Sequence, residues 1–160
     1  MPSESVIECC EALIKRNWTI CFVESASAGK MSYEFSTVIN SGQILIGGLV
    51  CYHESMKEDL LLIPKGTIKQ FTAESAVVTK LMARNFHRFV TSDICVALTG
   101  LTTPGGSESP TKPVGTIFLH LIFPHKEIAK RYKFKGTAEE IVQKSIDAVA
   151  KIVLNEVLST

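Results

Sequence analysis

The sequence has almost no imbalance of charge. Seventeen Lys and Arg stand against sixteen Asp and Glu, a formal net charge of +1. This excludes a chain held to nucleic acid by its bulk field, because that binding depends on cations that release phosphate counterions. No apolar run approaches the ~20 residues of a membrane-spanning helix. The start, Met1-Pro-Ser-Glu-Ser-Val6, lacks the basic residues and apolar stretch of a secretory signal. No C-x-x-C pair occurs among the five cysteines, and Cys21, Cys51 and Cys95 sit inside apolar runs. Free cysteine in such runs behaves as a small hydrophobe. A reduced, cytoplasmic setting without a zinc site is therefore expected.

What is present describes an ordinary globular chain. Its 160 residues are 46% hydrophobic and 21% charged. A single domain over 1–160 is expected, burying roughly 70% of its unfolded surface. Helical spacing of Val6, Cys9, Cys10, Leu13 and Ile14 predicts a helix over 4–16, ended by Asn17. Thr19 to Val23 reads as a buried strand, followed by a turn and a helix to about Val38. A turn at Asn40-Ser-Gly42 leads to a second strand, Ile44 to Tyr52, whose Gly47-Gly48 pair suggests a bulge or close backbone approach. A short helix over 54–62 stops before Pro64. Thr72 is a candidate N-cap for a helix to about Val90, with Val77, Leu81, Met82 and Phe86 on one side.

Ile94 to Leu98 is a third strand, and 99–113 is a long glycine- and proline-rich loop. Strands over Val114–Phe123 and Ile128–Phe134 follow, joined at Pro124-His125. Thr137 with Glu140 reads as a capping box for a last helix. The alternation predicts an α/β fold, a three-layer α/β/α sandwich on a mostly parallel, mixed sheet. Loops 24–29, 52–57 and 99–113 each follow a strand. Ligands in such folds bind outside the carboxyl ends of strands, so the three loops can share one site.

Ser25 follows a buried strand at a helix entrance, where it is either an N-cap or an exposed nucleophile beside N–H groups able to hold an oxyanion. The lipase elbow G-x-S-x-G is absent, since Val23 and Ser27 stand at the glycine positions. Among candidate bases, His53 is the one histidine near the site, while His120 reads as packed and His87 and His125 as solvated. Lys30 and Lys57 are alternatives, because burial can lower a lysine pKa enough to make it a base. S-x-x-K occurs twice, at Ser27–Lys30 and Ser109–Lys112, and is set aside as unspecific. Gly100 and Gly105 have Walker A spacing, but Gly106 replaces the required lysine. The loop can still offer backbone N–H groups to one phosphate.

Four blocks in order resemble the C-terminal domain of the competence/damage-inducible protein CinA. The family pattern A-E-S-C-T-G-G stands here as Val23-Glu24-Ser25-Ala26-Ser27-Ala28-Gly29. G-G-x-V-x-Y-S-N-x-x-K stands as Gly47-Gly48-Leu49-Val50-Cys51-Tyr52-His53-Glu54-Ser55-Met56-Lys57. The start of T-G-I-A-G-P-x-G-G stands as Thr99-Gly100-Leu101-Thr102-Thr103-Pro104, followed directly by the pair Gly105-Gly106, and K-P-V-G-T is intact at Lys112–Thr116. The resemblance covers about 4–158. It implies the sandwich fold in a homodimer, with neither metal nor organic cofactor.

It also implies hydrolysis of the carboxamide of nicotinamide mononucleotide to nicotinate mononucleotide and ammonia. Ser25 would be the nucleophile and Lys57 the base, with Tyr52 supporting proton transfer. Glu24, Ser27, Gly29, Gly48, Thr99, Gly100, Pro104, Gly105 and Gly106 would bind the small-molecule nucleotide, with neither nucleic acid nor membrane as partner. Departures from the pattern are expected to matter at three places. A methyl at Ala28 would crowd the pocket, Glu54 would raise the Lys57 pKa, and Ala138 stands where an arginine would suit a phosphate. The alternatives are a non-catalytic member that binds a nucleotide or protein partner, and a hydrolase for another small amide or ester.

Overall fold

A computed structural model describes residues 1–160. The chain runs α1 (Glu4–Arg16), β1 (Ile20–Glu24), α2 (Lys30–Ser36), β2 (Leu45–Val50), α3 (Glu54–Asp59), α4 (Thr67–Phe71), α5 (Ala76–Phe89), β3 (Ile94–Gly100), β4 (Thr116–Ile122), β5 (Glu127–Lys133) and α6 (Ala138–Ser159). The five strands form one sheet in the order β2-β1-β3-β4-β5. β1 pairs in parallel with β2 and β3, and β4 is antiparallel to both β3 and β5.

Side-chain alternation divides the core into two layers. Phe22, Val96 and Leu98 face α1, α2 and α6, packing against Leu13, Phe35 and Val149. Cys21, Val23, Cys95 and Ala97 face the other way, onto Val78, Met82 and Phe86 of α5. β1 is buried along its whole length, which is why it reads as a continuous apolar run rather than an alternating one. All five cysteines are buried and free. No helix is long and apolar enough to cross a membrane.

Several local signals act as the sequence suggests. Asn17 ends α1 in the left-handed conformation, φ 56°, which asparagine tolerates better than most residues. Thr137 and Glu140 form the capping box of α6. The glycine pair makes a bulge: Ile20 pairs with Leu45 but Cys21 with Gly47, leaving Ile46 extra. His120 is packed, with Nε2 2.7 Å from Glu127 Oε2.

Other expectations are corrected. The helix after Thr72 is capped by Ser75, whose side chain accepts the N–H of Val78. Thr72 instead closes α4, a short helix that the sequence reading missed. Met82 and Phe86 are buried on α5 as expected, together with Val78, Thr79 and Ala83, whereas Leu81 is half-buried and Val77 is exposed. The helices after Ser25 and after His53 are also shorter than expected, ending at Ser36 and Asp59.

The two sheet edges differ. β5 carries Lys130, Arg131 and Lys133, charges that deter strand addition. β2, Leu-Ile-Gly-Gly-Leu-Val, carries none, and its Ile46 and Val50 are exposed.

Candidate active site

The site lies where β1, β2 and β3 end. Ser25 is the first residue after β1, anchored by its N–H to the carbonyl of Leu98 at 3.0 Å. It is not the helix cap: α2 is capped by Gly29, without a side-chain bond. Glu24 does the capping. Its fully buried carboxylate accepts from Ser27 Oγ (2.6 Å), the N–H groups of Gly29 (3.0 Å), Met31 (3.1 Å) and Ser32 (2.8 Å), and Ser32 Oγ (2.5 Å). A carboxylate at a helix start satisfies donors that the helix cannot. Ser25 is thereby left free on a rigid turn.

Lys57 comes from α3 and is only 1% exposed. Its Nζ lies 3.1 Å from Ser25 Oγ, 2.7 Å from the carbonyl of Cys51 and 3.4 Å from that of Tyr52. α3 aims it there because His53 caps that helix, its ring accepting the N–H of Ser55. Burial pushes the Lys57 pKa down, opposed more weakly by the Cys51 thiol and the Glu74 and Glu54 carboxylates. Glu54 therefore does act in the expected direction, but burial dominates, and the expected net rise is corrected to a fall. Of the candidate bases, Lys57 is the one within hydrogen-bond distance of Ser25. His53 is occupied at its helix cap, and Lys30 lies 3.8 Å from Glu34.

Above this pair opens a cleft of about 200 Å³, lined by Ser25, Ala26, Tyr52, Glu74 and the loop from Gly100 to Gly106. The three loops named from sequence thus meet, joined by the unforeseen Glu74. The remaining candidates lie beneath the cleft. Glu24 and Ser27 are consumed by the α2 cap. Gly48 lets α2 sit on β2, since a Cβ there would fall 2.6 Å from Ser32 Oγ and 3.0 Å from the Phe22 carbonyl. Gly29 is in the turn, and Thr99 is fully buried, with Oγ1 2.8 Å from Thr79 Oγ1.

The helix N-terminus as an oxyanion site is also corrected, because Glu24 occupies the N–H groups of Gly29, Met31 and Ser32. The N–H of Ala26, at the cleft wall, has no acceptor within the protein. Ala28 does not crowd the cleft. It is exposed, at φ 48°, and is not among the residues lining the cleft. Ala138 opens α6, away from the cleft lining.

The glycine loop is tied down. Lys112 Nζ reaches Thr72 Oγ1 (2.5 Å), Ser107 Oγ (2.8 Å) and the Glu74 carbonyl (3.0 Å), and Ser107 Oγ donates to the Glu74 carboxylate. Burial lowers the Lys112 pKa, with Glu74 opposing. The phosphate nest expected at Gly105 is filled from within, because its N–H donates to Glu108 Oε1 at 2.8 Å.

The family model for the CinA C-terminal domain matches residues 3–157. The chain belongs to the CinA C-terminal domain family. It is 30% identical over 151 residues, 92% of its length, to a CinA-like protein of Desulfotalea psychrophila. It is 32% identical over 146 residues, 91% of its length, to one of Thermotoga neapolitana. The chain spans only 36% and 35% of those two relatives. A solved CinA-superfamily structure from Klebsiella pneumoniae superposes with TM-score 0.91 over 98% of both chains at 21% identity, a likeness of fold. In CinA terms, the serine, tyrosine-lysine and glycine-loop blocks converge on the cleft, and the K-P-V-G-T block supplies the lysine that staples it.

Proposed function

We propose that this chain hydrolyses the carboxamide of a nicotinamide nucleotide, nicotinamide mononucleotide being the substrate that the family resemblance implies, to the carboxylate and ammonia. The observation carrying this reading is the buried Lys57 amine 3.1 Å from Ser25 Oγ, on the floor of a cleft. An amide is a poor electrophile with a poor leaving group, so it needs a nucleophile, a base that turns acid, and an oxyanion site.

Lys57 suits the double role. As a neutral amine it keeps two N–H donors for the carbonyls of Cys51 and Tyr52 and turns its lone pair to the Ser25 hydroxyl. It takes that proton as Oγ bonds to the carboxamide carbon. The oxyanion faces the unpaired N–H of Ala26. Collapse breaks the C–N bond while the Lys57 ammonium returns the proton to nitrogen, releasing ammonia. Water then attacks the ester, Lys57 again accepting a proton. The acid leaves and Ser25 regains its hydrogen. Tyr52, 66% exposed at the rim, contributes its carbonyl to Lys57 and its ring to the cleft wall.

We also propose a homodimer through the uncharged β2 edge, where Ile46 and Val50 are exposed. The functional test is ammonia release from nicotinamide mononucleotide, with the acid product identified by mass spectrometry. Ligand-induced thermal stabilisation without ammonia would favour the non-catalytic binding alternative.

A further inference from the structure

We propose that Glu74 is the counter-ion for the substrate ring, so that the cleft prefers an oxidised, cationic nicotinamide nucleotide to the reduced nucleotide, whose ring is neutral. The inference rests on the amidase reading of Ser25 and Lys57 and deepens it, by naming the residue that reads the charge of the ring.

Of the eleven residues lining the cleft, Glu74 alone carries a charged side chain. Its carboxylate is not neutralised from within. None of the chain's ion pairs includes it. Oε2 accepts the Ser107 hydroxyl, and Oε1 accepts no hydrogen bond within the protein. Lys112 gives its three protons to Thr72 Oγ1, Ser107 Oγ and the Glu74 carbonyl, not to the carboxylate. The charge nevertheless reaches the catalytic pair, since Glu74 opposes the fall in the Lys57 pKa. An anion felt by Lys57 is also felt by a cation seated above Ser25.

The carboxylate is held in place before any ligand arrives. The Glu74 carbonyl accepts from Thr72 Oγ1 at 3.1 Å and from Lys112 Nζ at 3.0 Å, and the next residue, Ser75, caps α5. Ser107 fixes the side chain. A preset charge stabilises its counter-charge without reorganising. The cleft, at about 200 Å³, is smaller than sites for whole drug-sized ligands. A ring whose carboxamide reaches Ser25 Oγ therefore lies beside Glu74, and in an oxidised nicotinamide nucleotide that ring is the cation. Tyr52, on the same lining, offers a π face that favours a cation more weakly. A purely structural Glu74, anchoring the glycine loop through Ser107, would affect charged and neutral rings alike.

The experiment compares nicotinamide mononucleotide, its reduced form, and benzamide riboside monophosphate, whose ring is planar but uncharged. All three carry a ribose and a phosphate, so the charge of the ring is what separates the first from the others. Calorimetry gives each Kd on Ser25→Ala protein, which consumes none of them, with and without Glu74→Gln. The oxidised nucleotide is expected to bind about tenfold or more tighter than either neutral one, the lower end for a close charge pair. Glu74→Gln keeps an acceptor for Ser107 and should close most of that gap by weakening the oxidised nucleotide alone. Equal binding of charged and neutral rings overturns the inference. So does an equal loss for all three ligands in Glu74→Gln, the mark of a structural role. The ratio with Glu74 in place stands even if Glu74→Gln fails to fold. Ammonia release by the unaltered protein, without a preference for the charged ring, would overturn this inference alone. A preference for the charged ring without ammonia release would overturn the amidase reading alone.

Discussion

Glu24 holds Ser32 twice through one carboxylate oxygen, 2.8 Å from its N–H and 2.5 Å from its hydroxyl. With Ser27, Gly29 and Met31 on the other oxygen, the carboxylate fixes the turn that displays Ser25. Glu24→Gln replaces one acceptor oxygen by a donor NH₂ and leaves buried N–H groups unpaired. It is expected to cost about 2–3 kcal/mol, the scale for orphaned partners of a charged acceptor. Chemical denaturation measures the loss, and kcat should fall with it as Ser25 loses its position.

Gly48→Ala reaches the same turn from below. The added methyl meets Ser32 Oγ at 2.6 Å, and that hydroxyl is already held by Glu24. Overpacking of this kind costs about 1–3 kcal/mol. A lower midpoint with unchanged m-value is the expected result.

Ala28→Gly should act in the opposite direction. At φ 48° the alanine pays for a left-handed conformation that glycine adopts freely. Relief of about 1–2 kcal/mol of strain, less about 0.4–1 kcal/mol for the greater freedom of unfolded glycine, predicts a net gain near 1 kcal/mol. Thermal melting checks this. Since Ala28 is exposed on the turn rather than in the cleft, KM should not move.

The pH profile follows from Lys57. Its pKa is lowered by burial, so the active amine fills as pH rises through a value below that of free lysine. Activity should climb along one rising limb on the acid side of that value. Glu54→Gln removes a charge that opposes the shift, so the limb should move to lower pH. A move to higher pH would contradict the assignment.

The β2 edge gives a prediction about assembly. Ile46→Lys places a charge where the strand now has none. A dimer in light scattering for the unaltered chain and a monomer for the variant are expected.

Much of this was legible in the sequence because it depended on local chemistry. Continuous apolar runs marked β1 and β3, Thr137 and Glu140 marked the start of α6, and three strand-end loops marked the cleft. Ser25 and Lys57 were legible from the order of motif blocks, but not their contact, which spans 32 positions. The direction of the lysine shift was hidden because burial is a tertiary property, whereas Glu54 was visible as a neighbour. Glu74 carried no signal: it precedes the true cap Ser75, and reading Thr72 as the cap put it inside a helix. The role of Glu24 was obscured for a similar reason. Its place beside the serine suggested ligand binding, and its actual partners lie three to eight residues downstream.

The central claim is amide hydrolysis by Ser25 activated through Lys57, and ammonia release by the purified protein tests it most directly. With nicotinamide mononucleotide supplied, the account predicts ammonia and nicotinate mononucleotide. It also predicts a loss of ~1,000-fold or more in Ser25→Ala and in Lys57→Ala, the scale for removing a member of a concerted catalytic pair. Absence of turnover, or release that persists in Ser25→Ala, would contradict it.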